Sequence, residues 1–349
     1  MESSHVPERA REPAPPYYPA LDGLRGIAVL GVMACHTLYR PFVLGWMGVP
    51  LFFALSGFLI TGILLRTKDR PDYFRRFYKR RALRIFPIYY LFVLVSFIAG
   101  TLLSMPTHDL WRAVIYIQNY RIPGEPQQIP GFFGGHTWSL AVEEQFYLMW
   151  PLLVWLLSRT WLLRVCVALV IGSLVFRLWA FETSHDPGLW ILYGWLPSNI
   201  DQLAAGAIVA ILYEEKRLEP RMLLAAMITG AGLLAFLILR LPYDAWQTSD
   251  IWLHVPANVL LNTALAVMCA AGVGFFTLRP MLPWTWPPLQ YVGRISYGMY
   301  LYHIPVYWIV WRLSGDLHHF YQTPIKVVAT FIVAALSWHF IERRLLGKR

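Results

Sequence analysis

Charge is the scarcest commodity in this sequence. Only 14 % of its 349 residues are charged while 57 % are hydrophobic, against about 25 % charged in a soluble domain whose surface must face water. A mean hydropathy of +0.47 agrees, and a soluble globule is excluded: the surface must face lipid. Cysteine is also scarce. Cys35, Cys166 and Cys269 all fall inside apolar segments, with no metal-ligand spacing and no disulfide framework; they read as small residues at helix contacts, although Cys35 beside His36 is a conceivable nucleophile. The chain has no internal repeat, phosphate-binding glycine loop, GxSxG elbow or HExxH. Its first twenty residues lack the apolar core and small-residue site of a cleaved signal peptide, and read as a Pro-rich, flexible cytoplasmic tail.

What is present is apolar runs of membrane-spanning length. With about 20 residues per span, they fall near 22–40, 46–65, 85–105, 140–157, 161–181, 197–213, 222–240, 254–277, 291–312 and 323–341. The expected fold class is therefore all-α: a polytopic membrane protein of about ten helices occupying 21–345, with no separate soluble domain. Lys and Arg gather in alternate connections, above all between Arg66 and Arg84 and again from Arg343 to Arg349, which places both termini in the cytoplasm by the positive-inside rule. The net charge of +10 is accounted for in the same way. No nucleic-acid-binding motif accompanies it, so no nucleic acid is expected as partner; the expected partner is the bilayer itself. The longest outer connection, from about Pro106 to Trp138, is rich in Pro and Gly, as connectors that cover a site often are.

Against this background, ionisable residues within spans default to a functional hypothesis. Asp22, Arg25 and His36 lie in the first span. Arg25 and His36 are eleven residues apart, so at about 100° per residue they share one helix face, roughly 16 Å apart along the axis. Arg81 and Arg84, at i and i+3, suit a phosphate-bearing ligand at the cytoplasmic mouth; positive-inside charge alone is the other reading. Glu143, in a run ending at Tyr147, enters from the outside and matches the depth of His36. A carboxylate beside an imidazole raises its basicity and fixes its tautomer, as a general base requires. Asp201 and His303 also fall in the outer half. Ser56, followed by Gly57, reads as a helix-contact residue before a catalytic one. A proton-coupled transporter or flippase could use the same groups as a relay.

At these residues the chain resembles the membrane-bound acyltransferase-3 family of O-acyltransferases. The matches are Leu21-Asp22-Gly23-Leu24-Arg25-Gly26-Ile27-Ala28 with His36, Phe52-Phe53-Ala54-Leu55-Ser56-Gly57-Phe58-Leu59 and Arg81-x-x-Arg84. Trp138-Ser139-Leu140-x-x-Glu143-x-x-Phe146-Tyr147 and Ile295-Ser296-Tyr297-Gly298-x-Tyr300-Leu301-Tyr302-His303 complete the set. The resemblance implies transfer of an acyl group, acetyl before succinyl or longer chains, from cytoplasmic acetyl-CoA or another acyl-CoA to a hydroxyl. It implies no metal. The acceptor would be a cell-envelope glycan such as lipopolysaccharide, exopolysaccharide or peptidoglycan, or else a macrolide-type small molecule, and the location a bacterial inner membrane. In the roles it suggests, Arg25, Arg81 and Arg84 bind the acyl-CoA phosphates, and His36 is the general base with Glu143 orienting it. Asp22, Ser56, Tyr147, Asp201 and His303 are supporting or acceptor-side groups.

Overall fold

The computed structural model describes residues 17–37, 40–105, 107, 110–120, 135–183, 190–240, 257–315 and 317–345. Most of the N-terminal tail, the Pro- and Gly-rich part of the outer connection and the last basic residues, Lys348 and Arg349, lie outside them.

Among the described residues a helix overlies each of the ten apolar runs, and no strand is present. These helices are α1 (Pro19–Cys35), α2 (Gly48–Thr67), α3 (Tyr73–Leu102), α5 (Trp138–Leu156), α6 (Arg159–Thr183), α8 (Leu196–Glu214), α9 (Pro220–Leu239), α10 (Ala257–Leu278), α12 (Ser296–Ser314) and α13 (His319–Ser337). Short helices α4 (Leu110–Val114), α7 (Trp190–Tyr193), α11 (Pro287–Arg294) and α14 (Arg343–Leu345) lie between or after them. Seven helical segments are long and apolar enough to cross a membrane, by length and composition. The three long helices that fall short are α1, α5 and α12, the same three that carry His36, Glu143 and His303.

Two boundaries differ from expectation. The third helix begins at Tyr73, twelve residues before the expected apolar run, so the basic cluster from Arg75 to Arg84 is helical rather than looped. An apolar window marks where a helix meets lipid, and this one continues past the point where polar residues suit it. The first helix stops at Cys35, short of the expected residue 40: the backbone N–H of Thr37 turns back to the Ala34 carbonyl, and the His36 and Thr37 side chains fold onto the carbonyls of Val32 and Ala34 at the helix end, as unpaired terminal carbonyls invite.

Helix α2 is the hub, packing against α8, α10, α1 and α5. Its contact with α8 depends on reciprocal glycines: a Cβ at Gly57 would overlap the Leu203 carbonyl, and one at Gly206 the Ala54 carbonyl. Backbones this close are the small-residue mode of helix association in lipid, where packing rather than water exclusion drives contact. Helix α1 is flanked by α11 and α12, and α6 packs on α8. Lipid-facing side chains such as Leu94, Leu148, Ile171 and Phe236 are exposed.

Candidate active site

His36 caps the C-terminal end of α1. Its Nδ1 lies 2.8 Å from the Val32 carbonyl oxygen and 3.3 Å from Nε2 of His303, with the Cys35 sulfur at 3.7 Å. The ring is exposed at the end of the helix. His303 is fully buried, and its Nδ1 lies 2.5 Å from the Tyr300 carbonyl.

A third imidazole completes this layer. His136 stacks edge-on to His303 with centroids 4.8 Å apart, and its Nε2 is 3.2 Å from the Leu301 carbonyl. That carbonyl needs an outside donor because its helical partner, four residues on, is Pro305, which has no N–H. The Tyr300 hydroxyl donates to the His136 carbonyl and pairs with the Ser139 hydroxyl, both at 2.6 Å, binding α12 to the start of α5. Among the described residues, no group of three or more His, Cys, Asp or Glu is arranged to hold a metal ion.

Glu143 stands apart from this layer. Ser56 Oγ donates to its Oε1 at 2.5 Å, and the Tyr147 hydroxyl donates to Ser56 at 2.9 Å. The Arg81 guanidinium lies 4.0 Å from the centre of the Tyr147 ring and acts electrostatically on Glu143 and Glu144. Among the described residues no hydrogen bond joins His36 to Glu143. Sequence spacing puts both at one depth, but Ser56 of α2, which packs beside α5, takes the carboxylate. Glu143 and Glu144 diverge as adjacent helical residues must: Glu144 bears on the α3 tyrosines Tyr89 and Tyr90.

Arg25, half-buried, binds the buried Asp22 at 3.0 Å one turn away. Asp22 is thus a partner of Arg25. Arg81 and Arg84 share a helix but not a neighbour: Arg81 faces α5, while Arg84 acts on Glu342 near the C-terminus. Further out along α3, Asp72, Arg75, Arg76, Lys79, Arg80 and Leu83 line a groove. A hydrogen bond from Arg70 holds the Asp72 carboxyl below its usual range.

Asp201 belongs elsewhere. Its carboxylate meets Arg177 at 2.8 Å, with neither side chain accessible. Arg177 also donates to Ser173 Oγ at 2.8 Å, the Ser198 carbonyl at 2.6 Å and Thr263 Oγ1 at 2.7 Å, so α6, α8 and α10 meet on one guanidinium. Sequence reasoning missed Arg177, although a charge in the middle of an apolar run was the available signal. It also missed His136, whose signal, a proline four residues beyond an unrelated carbonyl, is invisible without the fold.

The fold and these clusters define a class first: a polytopic helical membrane protein with polar side chains gathered inside its apolar bundle. The acyltransferase-3 profile, described as an acyltransferase domain, matches residues 18–341, and the chain belongs to that family. Among curated relatives it is 32 % identical over 352 residues to "Putative peptidoglycan O-acetyltransferase YrhL" of Bacillus subtilis, covering 94 % of this chain and 54 % of the relative. It is 30 % identical over 346 residues to the peptidoglycan O-acetyltransferase OatA of Listeria monocytogenes, covering 93 % and 55 %. The chain thus spans about half the length of the curated relatives it matches. No solved structure matches it.

Proposed function

We propose that the chain is an integral membrane O-acetyltransferase, moving an acetyl group from cytoplasmic acetyl-CoA to a hydroxyl of a cell-envelope glycan, with peptidoglycan as the acceptor. The observation that carries this reading is the accessible imidazole of His36, held on its Nδ1 side by the Val32 carbonyl and His303 within a family of acyltransferases. The naming of both relatives for peptidoglycan favours this acceptor over lipopolysaccharide and over a macrolide. A transporter relay is not favoured, since Asp201 is neutralised by Arg177 and Glu143 is bonded to Ser56.

In the reaction, the acceptor hydroxyl gives its proton to His36 as its oxygen bonds the acyl carbon. The thioester C–S bond then breaks, and the CoA sulfur leaves with the proton returned by the imidazolium. Arg25 and Arg81, with Arg84 nearby, supply positive charge for the donor's phosphates at the inner mouth. The helices around His36 keep bulk water from the thioester. α1, α5 and α12 cross the inner membrane with the seven more apolar segments around them, giving ten spans and two cytoplasmic ends. Their polar residues face inward, so their lower hydropathy does not cost lipid exposure.

Proteoliposomes given radiolabelled acetyl-CoA and peptidoglycan or its lipid-linked precursor test the reading. Label on a glycan hydroxyl, released by mild base, is the expected product. Acetyl-CoA turned over with polysaccharides of another class, and never with these acceptors, would replace the acceptor. No turnover of acetyl-CoA at all would end the proposal.

A further inference from the structure

The imidazole pair at the end of α1 carries more information than its distances. Val32 offers His36 a carbonyl oxygen, which only accepts, at 2.8 Å from Nδ1. A nitrogen lone pair cannot face an oxygen lone pair at that distance, so Nδ1 of His36 bears the ring proton. The same reasoning applies to His303, whose Nδ1 faces the Tyr300 carbonyl and must also donate. In neutral His303 the remaining nitrogen, Nε2, is then an acceptor. This Nε2 is the atom that lies 3.3 Å from His36 Nδ1. The two assignments were made from separate carbonyls, and they agree: one N–H of His36 is shared between the Val32 oxygen and the His303 nitrogen.

We infer that His303 is a positioning residue for His36, its Nε2 accepting the His36 Nδ1–H so that Nε2 of His36 is left as the free base. The inference rests on the proposed acyl transfer for its consequence but not for its geometry. When His36 takes the acceptor's proton, both ring nitrogens carry hydrogen, and the charge is met on the Nδ1 side by two acceptors already in place. This is the part that a carboxylate plays in a Ser-His-Asp triad, and the part that sequence spacing assigned to Glu143. A neutral imidazole performs it without placing a second full charge in an apolar layer.

The surroundings hold the pair in register. The Tyr307 hydroxyl donates to the Met33 carbonyl at 3.1 Å, binding α12 to α1 just before His36. On the other side the Tyr300, Ser139 and His136 contacts bind α12 to α5. Titratable groups around the pair are Cys35, His136, Tyr300 and Tyr307. The Cys35 sulfur is 3.7 Å from the same Nδ1, farther than the 3.3 Å to His303 Nε2.

Two measurements on the full chain test this. In nitrogen-15 spectra of the histidine-labelled protein in detergent, with His36 identified from His36→Gln, neutral His36 is expected to be protonated at Nδ1. His303→Leu is expected to leave that tautomer, which Val32 also holds, and to shift the Nδ1 resonance as one of its two acceptors is lost; an unchanged resonance would overturn the inference. In acetyl-transfer assays His303→Leu is expected to lower kcat about 10²-fold or more with the donor KM unchanged. His303→Gln, whose side-chain carbonyl can accept the same N–H, is expected to recover kcat to within about tenfold of wild type. Protonation of wild-type His36 at Nε2 would overturn the inference. So would equal losses in the Leu and Gln variants with folding intact, or full activity in His303→Leu. If the His36 Nδ1 resonance shifts in His303→Leu in a protein that turns over no acetyl-CoA, the pairing stands and the functional proposal fails.

Discussion

Arg177 and His36 are both polar residues inside an apolar bundle, and their surroundings are built in opposite ways. Arg177 is fully buried, spends four hydrogen bonds on three helices and faces its counter-ion directly. Of its three guanidinium nitrogens, Nε alone makes no hydrogen bond to the described residues. His36 has its Nδ1 side held and accessible surface left over. A compensated, closed charge contributes to which helices pack together. A polar group with one side satisfied and the other open is poised to meet something that is not part of the fold.

The comparison breaks first at the closed cluster. Arg177→Leu leaves Asp201 as an unpaired buried carboxylate, and breaking a buried pair on one side costs about 3–5 kcal/mol. A lower unfolding temperature and a poor yield of monodisperse protein are expected. The double variant Arg177→Leu with Asp201→Leu removes both charges and should recover most of the loss. If the single variant unfolds like wild type, the cluster is not holding α6, α8 and α10 together.

A smaller structural effect is expected at the α2–α8 contact. Gly206→Val must push the helices apart, at about 1–3 kcal/mol for overpacking, read again as a fall in unfolding temperature with acetyl transfer per folded molecule reduced less. On the open side the order reverses. Glu143→Gln keeps an acceptor for Ser56 but removes the charge that Arg81 faces. Turnover should fall by at least about tenfold, within the usual range for an acid–base group, while the unfolding temperature holds. Smallest is Arg81→Ala. It removes the cation over the Tyr147 ring, a ring contact of about 0.5–2 kcal/mol. The donor KM should rise by roughly tenfold, as for one lost charged hydrogen bond, with little change in kcat; an unchanged KM would remove Arg81 from donor binding.

Much of this architecture was legible from the chain alone, for a physical reason. Lipid imposes one rule, that every buried backbone group be satisfied within its own segment, so apolar runs became helices at all ten expected places. The family was legible because its motifs combine residue types that lipid does not tolerate by chance. Pairings between helices were not legible. Periodicity says which side of a helix a residue occupies, but not which neighbour arrives there. Glu143 was therefore assigned to His36 when Ser56 of α2 reaches it instead, and Asp201 was grouped with the site when Arg177 holds it. The basic run before residue 85 was read as a loop because charge was taken as the end of a helix. In α3 it is only the end of the apolar part.

The separation of a folding cluster from a reacting one is tested most directly by His36→Ala, measured as label transferred from acetyl-CoA per folded molecule, with unfolding temperature recorded on the same sample. Transfer is expected to fall about 10²- to 10⁴-fold, the range of a lost general base, and the unfolding temperature to stay at the wild-type value. Transfer within tenfold of wild type would contradict the account, and so would a loss of activity that only follows a loss of fold.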